Sequence, residues 1–99
     1  MQLSTRDKKL ISNFFTAQPV KRAYLFGSYA RQEGKVGSDI DLLVELDYSK
    51  PIGYAFVQMV LDLEGLLGRK VDLVADDSLS RHIRPFFERD KLLIYEAAA

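Results

Sequence analysis

The most informative stretch of the chain covers residues 38–46 and reads SDIDLLVEL. Its residues alternate in character, and successive side chains of a β-strand point to opposite faces of a sheet. One face would be aliphatic, whereas the other would hold Asp39, Asp41, Leu43 and Glu45. The stretch therefore predicts a strand that is buried on one face and brings two aspartates together on the other.

The pair formed by Asp39 and Asp41 has two possible explanations. Residues two apart on a strand have Cα atoms about 7 Å apart, so their carboxylates repel each other and are costly to desolvate. A purely structural pair would need arginine partners or a solvated face. The functional explanation is a divalent cation, because Mg²⁺ prefers hard oxygen ligands and its charge offsets the repulsion.

The dipeptide Gly27-Ser28 directly follows residues 20–26, an apolar segment that we interpret as a buried strand. Glycine lets a ligand approach the backbone, and free amides at the start of a helix, together with a hydroxyl, bind anions. Such a dipeptide is usually only a turn. Ten residues separate Ser28 from Asp39, however, and on a neighbouring strand the dipeptide would place a phosphate-binding loop beside a metal site.

Asp72 is the third acidic candidate, because it lies among apolar residues in a predicted strand over 70–75. If that strand lies beside residues 38–46, three carboxylates converge, which is the minimum for two-metal chemistry. An aspartate in that position can also accept the proton of an attacking hydroxyl. A solvent-facing aspartate on an edge strand is the alternative.

The rest of the chain predicts helices between these strands. Apolar residues at helical spacing and the positions of proline and glycine delimit them. The predicted helices run from Ser4 or Thr5 to before Pro19, over 54–67 with Gly68 as the C-terminal glycine, and over 80–89 with a start or kink near Pro85, besides a short helix or turn over 28–33 and an apolar stretch over 92–95. The order αβαβαβα predicts an α/β domain with a small mixed or parallel sheet.

Composition narrows the possible functions. The 99 residues predict one domain, 1–99, and the absence of cysteine excludes disulfides, a thiol nucleophile and cysteine-ligated zinc. The net charge of zero argues against a general nucleic-acid binder, although residues 1–36 have a net charge of +5 and residues 37–77 a net charge of −6. Neither a membrane span nor a signal peptide is evident, so we expect a soluble cytoplasmic protein that does not bind nucleic acid directly.

The combined pattern resembles the signature of the polymerase-β-like nucleotidyltransferases. Three runs are similar to the minimal nucleotidyltransferase (MNT) subgroup: LFGSYAR at 25–31, SDIDLLVE at 38–45 and GRKVDLV at 68–74. Gln32 departs from the glycine that is common in the family at that position. The resemblance covers the chain from the first helix to Tyr95 and implies a small mixed β-sheet packed by helices.

The resemblance also implies a site. Two Mg²⁺ ions, held by Asp39 and Asp41 with Asp72 completing the second position, would align ATP for attack by an acceptor hydroxyl. These three aspartates would be the catalytic and metal-binding residues. The residues expected to contact the nucleotide or to arrange the site are Gly27, Ser28, Arg31 and Ser38, of which Ser38 would position Asp39.

The same resemblance implies a partner. Short MNT proteins typically pair with a HEPN-domain ribonuclease toxin, to which they bind as antitoxins in a hetero-oligomer, and they can transfer AMP to a tyrosine hydroxyl of the toxin. Two alternatives remain open. One is a binding module that neutralises the toxin by occlusion without turnover. The other is transfer to a small molecule, which needs acceptor-binding structure that 99 residues do not easily provide.

Overall fold

The computed structural model describes residues 3–27 and 39–98. Within these ranges the chain forms three α-helices and four β-strands, joined in the order expected of an α/β domain. The elements are α1 (Thr5–Phe15), β1 (Val20–Phe26), β2 (Ile40–Leu46), α2 (Ala55–Leu67), β3 (Val71–Ala75), a 3₁₀ turn (Asp76–Ser78), α3 (Arg84–Asp90) and β4 (Leu92–Glu96).

The four strands form one mixed sheet in the order β3-β2-β1-β4. Strands β1 and β2 are antiparallel, β1 and β4 are antiparallel, and β2 and β3 are parallel. A parallel pair cannot be joined by a tight turn, and α2 makes the crossover between β2 and β3. The prediction of a small mixed sheet packed by helices is confirmed.

The main hydrophobic core lies between one face of the sheet and the helices α1 and α2. Strand β2 supplies Ile40, Leu42 and Val44, none of which is exposed. The other fully buried members come from both helices and from β1: Ile11, Phe15, Ala23, Leu25, Met59 and Leu63. The alternation of apolar residues in the sequence therefore identified this face correctly.

The opposite face of the sheet is covered by α3. The Phe87 ring packs edge-on against Tyr24 and Phe26, with 5.6 Å between ring centroids in each case. Leu43, the cross-strand partner of Tyr24, is fully buried although it lies on the face with the acidic residues. Strand β2 is thus buried on both faces in its middle, and its acidic residues flank that point.

Helix ends follow from local chemistry. The Ser4 hydroxyl accepts a hydrogen bond of 3.0 Å from the Asp7 amide and caps α1, as the sequence predicts. Gly68 ends α2 with a φ of 65°, in the left-handed region that glycine adopts without steric cost.

The C-terminal part differs from the sequence prediction. The helix expected over 80–89 begins at Arg84, so residues 80–83 precede it, whereas the predicted start near Pro85 is confirmed, because proline lacks an amide hydrogen and is best tolerated in the first turn. The apolar stretch over 92–95 is a full edge strand, β4, and Phe86 on α3 is 56% exposed. The helix or turn expected over 28–33 lies outside the described residues.

In the part of the chain that the structure describes, no helix has the length and apolar character needed to cross a membrane.

We predict that Leu63→Ala lowers the free energy of unfolding by about 2–5 kcal/mol, because it empties a fully buried position between α2 and the sheet. Leu61→Ala is the matched control, since Leu61 lies on the same helix and is 57% exposed. Its effect should stay within about 0.5 kcal/mol. Urea denaturation followed by circular dichroism measures both, and equal losses would contradict the placement of α2.

Candidate active site

Asp41 and Asp72 are neighbours across the parallel strands β2 and β3. The register pairs Asp41 directly with Asp72, one position after the pair Ile40 and Val71. Adjacent strands lie about 4.8 Å apart, and paired residues point to the same face. The structure therefore brings these two predicted carboxylates together on the sheet face that also contacts α3.

The orientation of Asp41 follows from its neighbours in β2. Ile40 and Leu42 are fully buried, so their side chains fix which face of the sheet Asp41 occupies. The Ile40 amide also donates a hydrogen bond of 3.0 Å to the Lys70 carbonyl, which fixes the level of β3 against β2. Two features that are unrelated to catalysis thereby set the position of the carboxylate pair.

Gly27 lies against the Asp41 carboxylate at the end of β1. Strand β1 is antiparallel to β2, and its last residue, Phe26, pairs with Asp41. A Cβ atom added at Gly27 would overlap the Asp41 carboxylate and would lie 3.1 Å from its Cγ atom. Gly27 also has a φ of 71°, which disfavours other residues. Glycine is therefore required here for two independent reasons, steric and conformational.

The other predicted site residues are either exposed or lie outside the described residues. Asp39 lies immediately before β2 and is exposed, as is Asp72 on β3. Ser28, Arg31 and Ser38 lie outside the described residues, so their predicted contacts with a nucleotide stay predictions. The roles predicted for Gly27, Asp39, Asp41 and Asp72 also stay predictions, although three of these residues come together.

The donor atoms fit the predicted metal in kind. Asp39, Asp41 and Asp72 offer carboxylate oxygens alone, which suit Mg²⁺ better than a softer metal ion. Among residues 3–27 and 39–98, no group of three or more His, Cys, Asp or Glu side chains is arranged to hold one metal ion. The described residues therefore bring the carboxylates of Asp41 and Asp72 together on adjacent strands. The approach of Asp39 to this pair remains a prediction.

Glu45 lies on the same face of the sheet but belongs to a polar network of its own. Arg22 on β1 donates hydrogen bonds of 2.8 Å to Glu45 and 2.7 Å to Glu96, and the Tyr24 hydroxyl donates one of 3.2 Å to Glu45. These carboxylates raise the pKa of Arg22. The sequence alone does not predict this network, because the antiparallel pairing of Arg22 with Glu45 depends on the register between β1 and β2.

Burial and the Glu45 carboxylate raise the pKa of the Tyr24 hydroxyl, with burial as the larger cause. Tyr24 therefore stays protonated at neutral pH and remains a hydrogen-bond donor. The Lys91 ammonium lies 5.4 Å from the centre of the Tyr24 ring and bonds to Glu88 at 2.8 Å. The network thus ties β1, β2, β4 and α3 together on the face of the sheet that carries the carboxylate pair.

Comparison with known proteins defines the family. The nucleotidyltransferase domain family matches residues 8–96 of the chain. The chain belongs to the nucleotidyltransferase domain family.

Two archaeal relatives agree with this assignment. Protein adenylyltransferase MntA of Thermococcus cleftensis is 42% identical over 81 residues, which cover 82% of this chain and 77% of the relative. A Methanocaldococcus jannaschii protein, MJ0128, named as a candidate protein adenylyltransferase, is 44% identical over 91 residues, or 91% and 87% of the two chains.

Solved structures share the fold of this nucleotidyltransferase. A structure described as a candidate minimal nucleotidyltransferase superposes with a TM-score of 0.74 at 30% identity and covers 88% of each chain. The MNT antitoxin in a complex with a tri-AMPylated HEPN toxin from Shewanella oneidensis superposes with a TM-score of 0.62 at 22% identity, over 91% of this chain and 73% of that one. At that identity the second similarity establishes the fold alone.

We predict that Gly27→Ala lowers nucleotidyl transfer about 100-fold, because the new methyl group must displace the Asp41 carboxylate, and a shift of about 1 Å in a reacting group has effects of this size. The measurement is the rate of pyrophosphate release at saturating ATP.

Gly53→Ala is the matched control for this substitution. Gly53 also has a positive φ, of 46°, but no atom lies within 4 Å of an added Cβ. Both variants should lose about 1 kcal/mol of stability from backbone strain, whereas only Gly27→Ala should lose activity. Equal activities in the two variants would contradict the importance of the contact with Asp41.

Proposed function

We propose that this nucleotidyltransferase transfers AMP from ATP to a tyrosine hydroxyl of a HEPN-domain toxin and thereby acts as its antitoxin. The observation that supports the proposal most directly is the pairing of Asp41 with Asp72 beside the obligatory glycine Gly27. The name of the Thermococcus relative, a protein adenylyltransferase, supports the nucleotide and the class of acceptor. The antitoxin complex with an AMPylated HEPN toxin supports the partner.

The proposed reaction is a single displacement at phosphorus. The oxygen of the acceptor hydroxyl forms a bond to the α-phosphorus of ATP, the bond from that phosphorus to the bridging oxygen breaks, and pyrophosphate leaves. The hydroxyl proton passes to a carboxylate, for which Asp72 is the candidate. Asp39, Asp41 and Asp72 would hold Mg²⁺, which neutralises charge on the phosphates and orients them when bound.

The other residues of the site would bind and orient the nucleotide. Gly27 leaves room at the end of β1, so that the Asp41 carboxylate lies against the backbone there. We propose that Ser28 and Arg31 contact the phosphates and that Ser38 positions Asp39. The pairing of β2 with β3 holds Asp41 and Asp72 in register, and positioning of this kind is the main contribution that a protein makes to phosphoryl transfer.

The open face of the site favours a protein acceptor. Asp39 and Asp72 are both exposed in the described part of the chain, and Asp72 lies on β3, which is one of the two edge strands of the described sheet. A macromolecular surface can reach such a position, whereas small-molecule sites are usually enclosed clefts. We therefore propose a hetero-oligomer with the toxin, in the cytoplasm where ATP is available, in which the toxin supplies the acceptor.

We predict that the purified protein labels its cognate HEPN-domain toxin when both are incubated with ATP labelled at the α-phosphate and Mg²⁺. Asp39→Asn and Asp41→Asn should reduce labelling at least about 100-fold, because each keeps the size of the side chain but removes a charge that the metal requires. Gel autoradiography and mass spectrometry of the modified tyrosine provide the measurement.

Asp62→Asn serves as the control, since Asp62 is an exposed aspartate on α2 that accepts a hydrogen bond of 2.8 Å from the Gln58 side chain. Its labelling should equal that of the unmodified protein. Toxin inhibition that survives in both active-site variants, with no label on any protein, would overturn catalysis in favour of occlusion. Label that accumulates only on a small molecule would overturn the protein acceptor.

A further inference from the structure

Glu64 links helix α2 to the first residue of strand β3. Its carboxylate Oε2 accepts a hydrogen bond of 3.0 Å from the Val71 amide, seven residues further along the chain. Glu64 is half-buried, and the Val71 side chain is 4% exposed. The bond therefore satisfies a backbone donor that lies at the margin of the core, where an unpaired amide is costly.

The bond lies on the edge of β3 that has no strand neighbour. The sheet order places β2 on one side of β3 and no described strand on the other. Amides of successive residues in a strand point to opposite edges, and the Lys70 carbonyl already bonds to Ile40 of β2. The Glu64 carboxylate thus takes the place of a missing strand at Val71, the residue directly before Asp72.

Glu64 is also held at its own end. It belongs to the last turn of α2, and its carbonyl accepts a hydrogen bond of 2.9 Å from the amide of Gly68, the left-handed residue that ends the helix. Only three residues, 68–70, connect α2 to β3. The start of β3 is therefore fixed from both edges, by Ile40 on one side and by Glu64 on the other.

We propose that Glu64 is a positioning residue for Asp72: by anchoring the Val71 amide, it holds the Asp72 carboxylate level with Asp41. This inference rests on the proposed function, in which Asp72 completes the metal-binding set. Glu64 itself contacts the backbone and acts only through β3. Residues that orient metal ligands typically contribute 10- to 100-fold to metal affinity or activity.

The test compares Glu64→Ala with Glu64→Gln, because glutamine keeps an oxygen acceptor of the same reach and removes only the charge. In Glu64→Ala, the Mg²⁺ concentration for half-maximal AMP transfer should rise about tenfold, while KM for the toxin stays unchanged. Glu64→Gln should restore the Mg²⁺ dependence to within about twofold. Asp62→Ala, two residues away on the exposed side of α2, should behave as the unmodified protein.

A second measurement does not depend on activity. Hydrogen exchange followed by NMR should show that the Val71 amide exchanges about tenfold faster in Glu64→Ala than in the unmodified protein. In Glu64→Gln the Val71 amide should stay protected. The amides in the middle of β2 should stay protected in both variants. Faster exchange throughout the protein would indicate general destabilisation and would overturn a local role. If Glu64→Gln behaved like Glu64→Ala in both assays, the carboxylate charge would be responsible and the anchoring role would be wrong.

The two hypotheses fail in different ways. If the unmodified protein transfers no AMP, the proposed function is wrong, and the exchange of the Val71 amide still decides whether Glu64 anchors β3. If the unmodified protein is active and Glu64→Ala keeps the same Mg²⁺ dependence, the positioning role is wrong while the proposed function stands.

Discussion

The pairing of strand β2 with a neighbour on each side is the constraint on which the rest of the structure depends. Strand β2 pairs with β1 in antiparallel and with β3 in parallel orientation, and its side chains are buried on one face over its whole length. A shift of one residue would turn the aliphatic residues to the outer face and drive Asp41 into the core. The cost of burying a carboxylate therefore enforces the same register that burial of Ile40 and Leu42 favours.

The candidate site is a consequence of that register. Because the strands on either side are hydrogen-bonded to β2, the C-terminal end of β1 and the N-terminal end of β3 both lie next to Asp41. Gly27 directly follows β1, and Asp72 is the second residue of β3. Each neighbour meets a different requirement. Gly27 must lack a side chain, and Asp72 must lie at the level of Asp41 on an edge strand, where it remains exposed. Stability and the geometry of the candidate site thus depend on the same hydrogen bonds at this end of the sheet.

The sequence allowed prediction of those parts whose signal is local. The bounds of β1, the core face of β2 and the glycine that ends α2 follow from alternation, helical spacing and the left-handed preference of Gly68. Strand β4 was not assigned, because only five residues form it and its pairing partner, β1, lies far away in the chain. The bonds of Arg22 to Glu45 and of Glu64 to Val71 depend on register and on the approach of α2 to β3, which no local pattern encodes.

The charge distribution of the chain gains a more specific meaning from the contacts. The middle segment is rich in acidic residues, yet most of those far from the site have a partner of their own. Glu45 bonds to Arg22, Asp77 accepts from the Tyr48 hydroxyl, and Asp76 lies 3.6 Å from the Arg84 guanidinium. By contrast, Asp39 and Asp72 have no ion-pair partner among the described residues, so they are still available to a cation or a ligand. Among the described residues, several acidic side chains far from the site are therefore engaged locally, whereas Asp39 and Asp72 keep carboxylates without an ion-pair partner near the point where Gly27 lies against Asp41.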